Sequence, residues 1–275
     1  KQCLVGSEMC IRDRFTTSKT MGQDCDIMVA KHNVSREDQD LFAKRSHDNA
    51  EKAWEAGHHQ KEVVPVEIEP DFKMIKKDNG IRSGTPIEKL SKLKPAFDKK
   101  HGTLTAANSS FLTDGSAVCL IMTESKAKEL GFTPKAEIVD YCFTGQRLED
   151  ELLLGPAYAM SKVLDQTKLS LNDIDVFEIH EAFAGQVLTN IKCLADDEFC
   201  KIELQKEKPV GEIDINKVNK WGGSLSIGHP FGATGARLLT TAANRLIEEN
   251  GQYAMLSACA AGAHGHAMII KKYEG

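Results

Sequence analysis

Two kinds of hydrophobic spacing alternate along the chain from residue 103 onward, and they predict alternating strands and helices. Apolar runs at 117–123, 137–143 and 176–180 have strand length, whereas 125–130, 157–166, 182–194 and 233–249 carry helical spacing. Two further strands, near 252–258 and 266–271, follow each other without a helix between them, which predicts a closing hairpin. Strands that alternate with helices imply a layered α/β fold around a buried, mostly parallel sheet. Nearer the N-terminus, 34–57 reads as the clearest helix. Ser35 and Asp38 give it a capping-box-like start and Gly57 a stop, and Leu41, Phe42, Ala50, Ala53 and Trp54 supply its buried stripe. Between 62 and 96 the pattern loosens into one short strand, 63–68, and Lys-rich sequence holding Gly80, Gly84, Pro70, Pro86 and Pro95, the texture of a loop-rich subdomain. No period of about 20–50 residues repeats, which removes solenoids and propellers.

Composition narrows the class further. At 275 residues, 41% hydrophobic and 27% charged, the chain is long enough for one large domain or two small ones with a real core. Its 35 Lys plus Arg against 40 Asp plus Glu leave a net charge of −5, so no global field draws it to nucleic acid or anionic lipid. The longest aliphatic stretch, 117–122, falls far short of the roughly 20 residues of a membrane-spanning helix. Eight cysteines are scattered without a Cys-x-x-Cys pair, which argues against a zinc ribbon and for reduced thiols. Residues 1–14 have the pattern of neither a secretory signal nor a mitochondrial presequence, since Glu8 and Asp13 interrupt them, and they read as a scar outside the domain.

Candidate chemistry concentrates in three segments. Between Trp221 and Arg237, the run Trp-Gly-Gly-Ser-Leu-Ser-Ile-Gly-His-Pro-Phe-Gly-Ala-Thr-Gly-Ala-Arg is a glycine-rich loop feeding a long helix, with the spacing of neither a dinucleotide fingerprint nor a phosphate-binding loop. His229, pinned by Pro230, precedes a helix N-terminus that disfavours imidazolium and so helps keep the ring neutral, as a general base requires; alone, the tripeptide is equally a turn. In the second segment, 257–266, small residues follow Cys259 and let a substrate and backbone N–H groups crowd its sulfur. An inert buried thiol is one alternative there. A metal site from His264 and His266 with Cys259 or His229 is another, lacking an acidic or further thiol partner nearby. The third segment, 176–186, ends a strand in His180-Glu181, where α/β proteins place functional groups. It is not a His-Glu-x-x-His metalloprotease motif, because residue 184 is Ala.

Together, the Gly-His-Pro-Phe-Gly-Ala-Thr-Gly run of 228–235, the Cys-Ala-Ala-Gly of 259–262 and the His-Glu-Ala-Phe of 180–183 resemble the motifs of the thiolase family. The resemblance spans 21–273, through Met21-Gly22, the helix beginning at Ser35 and the Thr-Ala-Ala-Asn-Ser-Ser-Phe-Leu-Thr-Asp-Gly run of 105–115. With histidine at 180 in place of the family's usual Asn, the chain is most similar to the long-chain 3-ketoacyl-CoA branch, β-subunits of mitochondrial trifunctional complexes. The resemblance implies a thiolase-like layered fold and an acetyl-CoA C-acyltransferase of fatty acid β-oxidation, which cleaves a 3-ketoacyl-CoA with CoA. Cys259 then matches the cysteine that protonates the departing acetyl-CoA carbanion, His229 the base that activates the nucleophilic cysteine, and His180 the holder of an oxyanion water. The backbone N–H of Ala261 matches a second oxyanion donor. Arg82 maps to the nucleotide end of CoA, Ser110 to the pantetheine arm, and Met21, Ala182 and Phe183 to the tunnel lining. CoA is substrate, with no tightly bound cofactor and no metal; the implied partners are a second copy and a trifunctional α-subunit, and the implied location mitochondrial.

Two departures qualify the match. The family's nucleophilic cysteine lies in a Cys-x-Ser-Gly loop ahead of the Met-Gly of position 21, and no such loop occurs in this sequence. The expected division is therefore a non-family segment 1–14, a CoA-binding loop subdomain 15–112, a remnant of the N-terminal domain 113–133 and a complete C-terminal domain 134–275. On that division the N-terminal half is largely absent and the chain an inactive fragment. Ala263 and His264 also replace the family's Gly and Gln, and a methyl at 263 narrows the pocket or opposes a positive φ. A Claisen-condensing acyl-CoA enzyme and a non-catalytic acyl-CoA-binding or assembly subunit remain as alternatives.

Overall fold

The computed structural model describes residues 19–149 and 151–275. Helix α1 (Met21–Lys31) starts at a capping box in which Thr20 and Gln23 satisfy each other's backbone N–H groups. Helix α2 (Arg36–Glu55) starts where Ser35 accepts from the Asp38 N–H. Phe42, Ala50, Ala53 and Trp54 of its expected stripe are buried, but Leu41 is 47% exposed, because the stripe drifts off the core side one residue before Phe42. The loop-rich region that follows holds a small antiparallel hairpin, β1 (Val66–Ile68) with β2 (Lys73–Ile75), and a one-turn helix α3 (Ile87–Leu90). The expected strand over 117–123 does not form. That segment carries no regular structure, Val118 and Leu120 are 89% and 72% exposed, and Thr123 instead caps helix α4 (Glu124–Glu129).

The C-terminal region is built on β3 (Ala136–Gly145), β4 (Val176–Ile179), β5 (Tyr253–Ala260) and β6 (His264–Lys272), hydrogen-bonded in the order β3-β6-β5-β4. Only β4 and β5 run parallel; β5–β6 and β6–β3 are antiparallel. The expectation of a mostly parallel sheet fails because β6 returns from β5 by a tight turn and inserts between β5 and β3, so two of the three neighbouring pairs are antiparallel although β3, β4 and β5 point the same way. Helices α5 (Gly155–Thr167), α6 (Ala184–Ala195), α7 (Asp197–Ile202), α8 (Ser224–Ile227) and α9 (Thr234–Glu248) complete the chain.

Strand alternation splits the core into two layers. Val176, Ala254, Leu256 and Ile270 pack beneath Leu238, Ala242 and Leu246 of α9. Phe177, Ile179, Met255 and Ile269 face the opposite way, into the larger cluster with Met160 of α5, Val187 of α6, Met28 of α1 and Phe42 of α2. Strands β4 and β5 are therefore covered on both faces, whereas β3 leaves Tyr141 and Phe143 exposed, and β4 and β5 end together at one edge, where the crossover loops gather.

Candidate active site

The parallel register pairs Ile179 with Ser257, and the His180 N–H donates to the Ser257 carbonyl at 2.8 Å. His180 thus emerges just past β4, and Cys259 lies two residues farther along β5 on the same edge. The glycine-rich segment brings in the third group: the rings of His180 and His229 lie 4.1 Å apart between centroids. The Phe111 carbonyl accepts from the His229 N–H at 3.2 Å; a Cβ at Gly80 would collide with the Phe111 ring, and one at Gly228 with the Thr113 methyl, with the Phe111 ring close by. The loop subdomain is in this way keyed to the histidine motif.

Glu181 ties the segments together. Fully buried, its carboxylate accepts from Ser46 of α2 at 2.7 Å, from Asn219 at 2.6 Å and from the Leu225 N–H at 3.1 Å. A Cβ on Gly223 would sit 2.3 Å from its carboxyl carbon, so the Gly-Gly pair lets the loop lie against it. Sequence reasoning gave no role to Glu181, Ser224, Thr234 or Asn219. The signal available was small or amide polar residues inside the motifs, which turn out to be buried.

Each ionisable group is set by its surroundings. Burial, then the charges of His229 and Arg237, hold His180 well below the ordinary imidazole range. Burial and Arg237 bring His229 down to about 4. Both rings are neutral at pH 7. Thr234 Oγ1 lies 2.6 Å from His229 Nδ1 and donates to the Pro230 carbonyl at 3.4 Å. The short contact fixes the His229 ring through Nδ1, with the direction of that hydrogen bond set by the tautomer, and leaves Nε2 without a side-chain partner among the contacts described. Burial pushes the Cys259 thiol up to about 12, which leaves it protonated, an acid and not a thiolate. Ala261 lies in the turn between β5 and β6, whose last residue, Ala263, adopts φ +58°. The left-handed conformation expected to oppose a methyl is thus adopted, at a strain on the order of 1 kcal/mol.

Of the CoA candidates, Arg82 lines a cavity beside Phe111, and Ser110, Met21, Ala182 and Phe183 are not among its lining residues. That cavity, of about 340 Å³, is lined by Lys44, His47, Arg82, Lys89 and Phe111 among others. Arg82 is anchored by its own loop, donating to the carbonyls of Asn79 and Ile81, and its N–H donates to His47 Nδ1 at 3.1 Å. Ser110 N–H donates to the Ala182 carbonyl at 2.9 Å. Phe183 meets Phe97 edge-on at 5.7 Å, and Phe97 packs over Gly22, next to Met21. A second cavity of about 390 Å³, between α2 and α6, lies among Leu41, Phe42, Leu188 and Ile191, and includes none of these candidates.

Comparison with known proteins agrees with this geometry. The thiolase C-terminal domain model matches residues 132–272 and the thiolase N-terminal domain model residues 5–125. The second match does not support an N-terminal half that is largely absent, and it begins within 1–14, which lies outside the described residues. A probable 3-ketoacyl-CoA thiolase of Caenorhabditis elegans is 53% identical over 98% of this chain and 60% of its own length. The mitochondrial trifunctional enzyme subunit beta of Homo sapiens is 51% identical over 94% of this chain and 54% of its own. Among solved structures, the Bacillus anthracis acetyl-CoA acetyltransferase superposes with a TM-score of 0.83 at 37% identity, covering 96% of this chain and 62% of that one. Human mitochondrial 3-ketoacyl-CoA thiolase in complex with CoA gives 0.78 at 32%, covering 93% and 60%. The chain thus spans between 54% and 62% of the length of these relatives. With their motifs at one edge of one sheet and both domain models matched along it, the chain belongs to the thiolase family.

Proposed function

We propose that this chain carries the acid–base and CoA-binding parts of a 3-ketoacyl-CoA thiolase, which cleaves a 3-ketoacyl-CoA with CoA to acetyl-CoA and a shortened acyl-CoA in fatty acid β-oxidation. The observation that carries the reading is the neutral His180–His229 pair at the edge where β5 delivers a protonated Cys259. His229 Nε2 accepts a thiol proton, and the Cys259 thiol gives its proton to the α-carbon of the departing acetyl-CoA carbanion. His180 and the Ala261 N–H serve as oxyanion donors. Lys44, Arg82 and Lys89 offer a cationic wall to the nucleotide phosphates of CoA. On this reading Ser110 meets the pantetheine arm and Met21, Ala182 and Phe183 line the acyl and pantetheine tunnel.

The acylated thiol of the full reaction belongs to a Cys-x-Ser-Gly loop that is not part of this sequence. Without it, thiolysis by the 275-residue polypeptide alone falls by orders of magnitude. Relatives named as a trifunctional enzyme subunit beta support an α-subunit partner and a mitochondrial location; a homodimer is the simplest assembly for the family. CoA acts as substrate, with no resident cofactor.

Exchange of the methyl protons of acetyl-CoA with deuterated water isolates the acid–base step, because it needs no acyl-enzyme. The purified chain should catalyse it, and Cys259→Ala should slow it by about 10²–10⁴-fold, the usual worth of a positioned acid–base group. CoA binding without exchange would favour the non-catalytic acyl-CoA-binding alternative, and exchange that survives Cys259→Ala intact would remove Cys259 from the mechanism.

A further inference from the structure

Behind His180 lies a hydrogen-bonded chain that no family motif accounts for. Its Nδ1 lies 3.0 Å from Ser224 Oγ, and the same oxygen accepts from Arg237 Nη2 at 3.2 Å. Ser224 is fully buried and His180 is 3% exposed, so water does not compete for these contacts. Arg237 stands in the second turn of α9, one turn beyond Thr234, the partner of His229. Among the described residues, its Nε and Nη1 are buried without a hydrogen-bond partner, which makes Ser224 the contact of this guanidinium within the site.

The chemistry of the three groups leaves one arrangement of protons. A guanidinium has only donors. Ser224 Oγ therefore accepts from Arg237 with a lone pair, and its single hydrogen is free for His180 Nδ1. Were Nδ1 protonated, two donors would converge on one buried hydroxyl whose own hydrogen had no acceptor, an arrangement that forfeits a buried hydrogen bond. We infer that Arg237, acting through Ser224, is a positioning residue that fixes His180 in the tautomer with its proton on Nε2. His180 then presents an N–H donor toward the side where its neighbour His229, held through Nδ1 by Thr234, also stands. The two adjacent imidazoles are each held through Nδ1 by a hydroxyl, and at His180 an arginine makes that hydroxyl a donor. The inference rests on the proposed function only for what the donor is used for, namely the oxyanion and its water.

Imidazole ¹⁵N–¹H correlation spectra of the full chain at pH 7 test the tautomer without turnover. In the wild type, His180 Nδ1 should appear as the unprotonated, pyridine-like nitrogen and Nε2 as the protonated one. A wild-type His180 protonated at Nδ1 overturns the inference outright and requires no variant. In Ser224→Ala and in Arg237→Met, which keeps the apolar stem, the ratio of Nε2–H to Nδ1–H forms should fall about fivefold, the effect of one ordinary hydrogen bond. A ratio unchanged in both variants also overturns it. A merely structural role for Arg237 would broaden or weaken signals without moving that ratio. Loss of acetyl-CoA exchange with the tautomers as stated would count against the proposed function and leave the inference standing.

Discussion

Strand β4 and the segment 117–123 start as equals in the sequence, since both are short apolar runs of strand length. In the fold they part completely. Every residue of β4 is buried, whereas Val118, Leu120 and Ile121 are 89%, 72% and 63% exposed and form no strand. Hydrophobicity does not separate them; the fate of their backbone groups does. β4 pairs with β5 on one side, and on its open side Phe177 bridges Val218 while the Asn219 side chain behaves like a further strand residue. Asn219 Oδ1 accepts from the Ile179 N–H at 2.9 Å, and its Nδ2 donates to the Ile179 carbonyl at 2.8 Å. Among the described residues, the run at 117–123 has no comparable edge beside it. An apolar run becomes a strand where its polar backbone also finds partners.

Breaking the β4 side should cost most where charge is buried. Glu178 Oε1 and Arg245 Nη1 meet at 2.6 Å with both side chains fully buried. Glu178→Ala leaves the buried guanidinium with Glu249 at 2.8 Å as its remaining carboxylate, and urea denaturation should show a loss of about 3 kcal/mol, the low end for a broken buried pair. Asn219→Ala removes the surrogate edge and one ligand of Glu181, with an expected loss of about 1–3 kcal/mol in the same assay.

A narrower effect appears only in acid. Because the fold prefers neutral His229, the unfolded chain takes up that proton near 6.5 and the folded chain only near 4. This contribution to stability is whole above about pH 6.5 and is lost as the pH falls toward 4. The stability of His229→Gln should therefore decline less steeply than that of the wild type across this window, since the carboxylates are common to both. Equal slopes would show that the ring is solvated. Smallest of all, Ile121→Lys should change stability by no more than about 0.5 kcal/mol, as at any exposed site. A loss several times larger would show that the run is covered in solution, and the contrast with β4 would dissolve.

Several elements were legible before any coordinates. The helix predicted over 34–57 is α2 within about two residues, because its Ser35 cap and stripe are local signals, and the closing hairpin is β5–β6. The small residues after Cys259 do not end β5 there; the strand runs on to Ala260 before the turn. The pairing of the sheet was misread because alternation of strands and helices does not say that the returning strand β6 lies between β5 and β3. The motif residues His180, His229 and Cys259 stood out by type and spacing, whereas Ser224, Thr234, Asn219 and Glu181 did not, being common polar residues whose meaning depends on their partners.

What the sequence determined by itself is the set of local elements and the family's reactive residues, since periodicity, caps and motifs act within a few residues along the chain. What the tertiary structure decided is the surroundings of those residues: which hydroxyl faces each histidine, which thiol is buried and which apolar run becomes a strand. Those outcomes follow from hydrogen-bond partners and from burial. Ser224 meets His180 across 44 positions and Ser46 meets Glu181 across 135, and a partner that distant is fixed by the path of the folded chain and not by spacing.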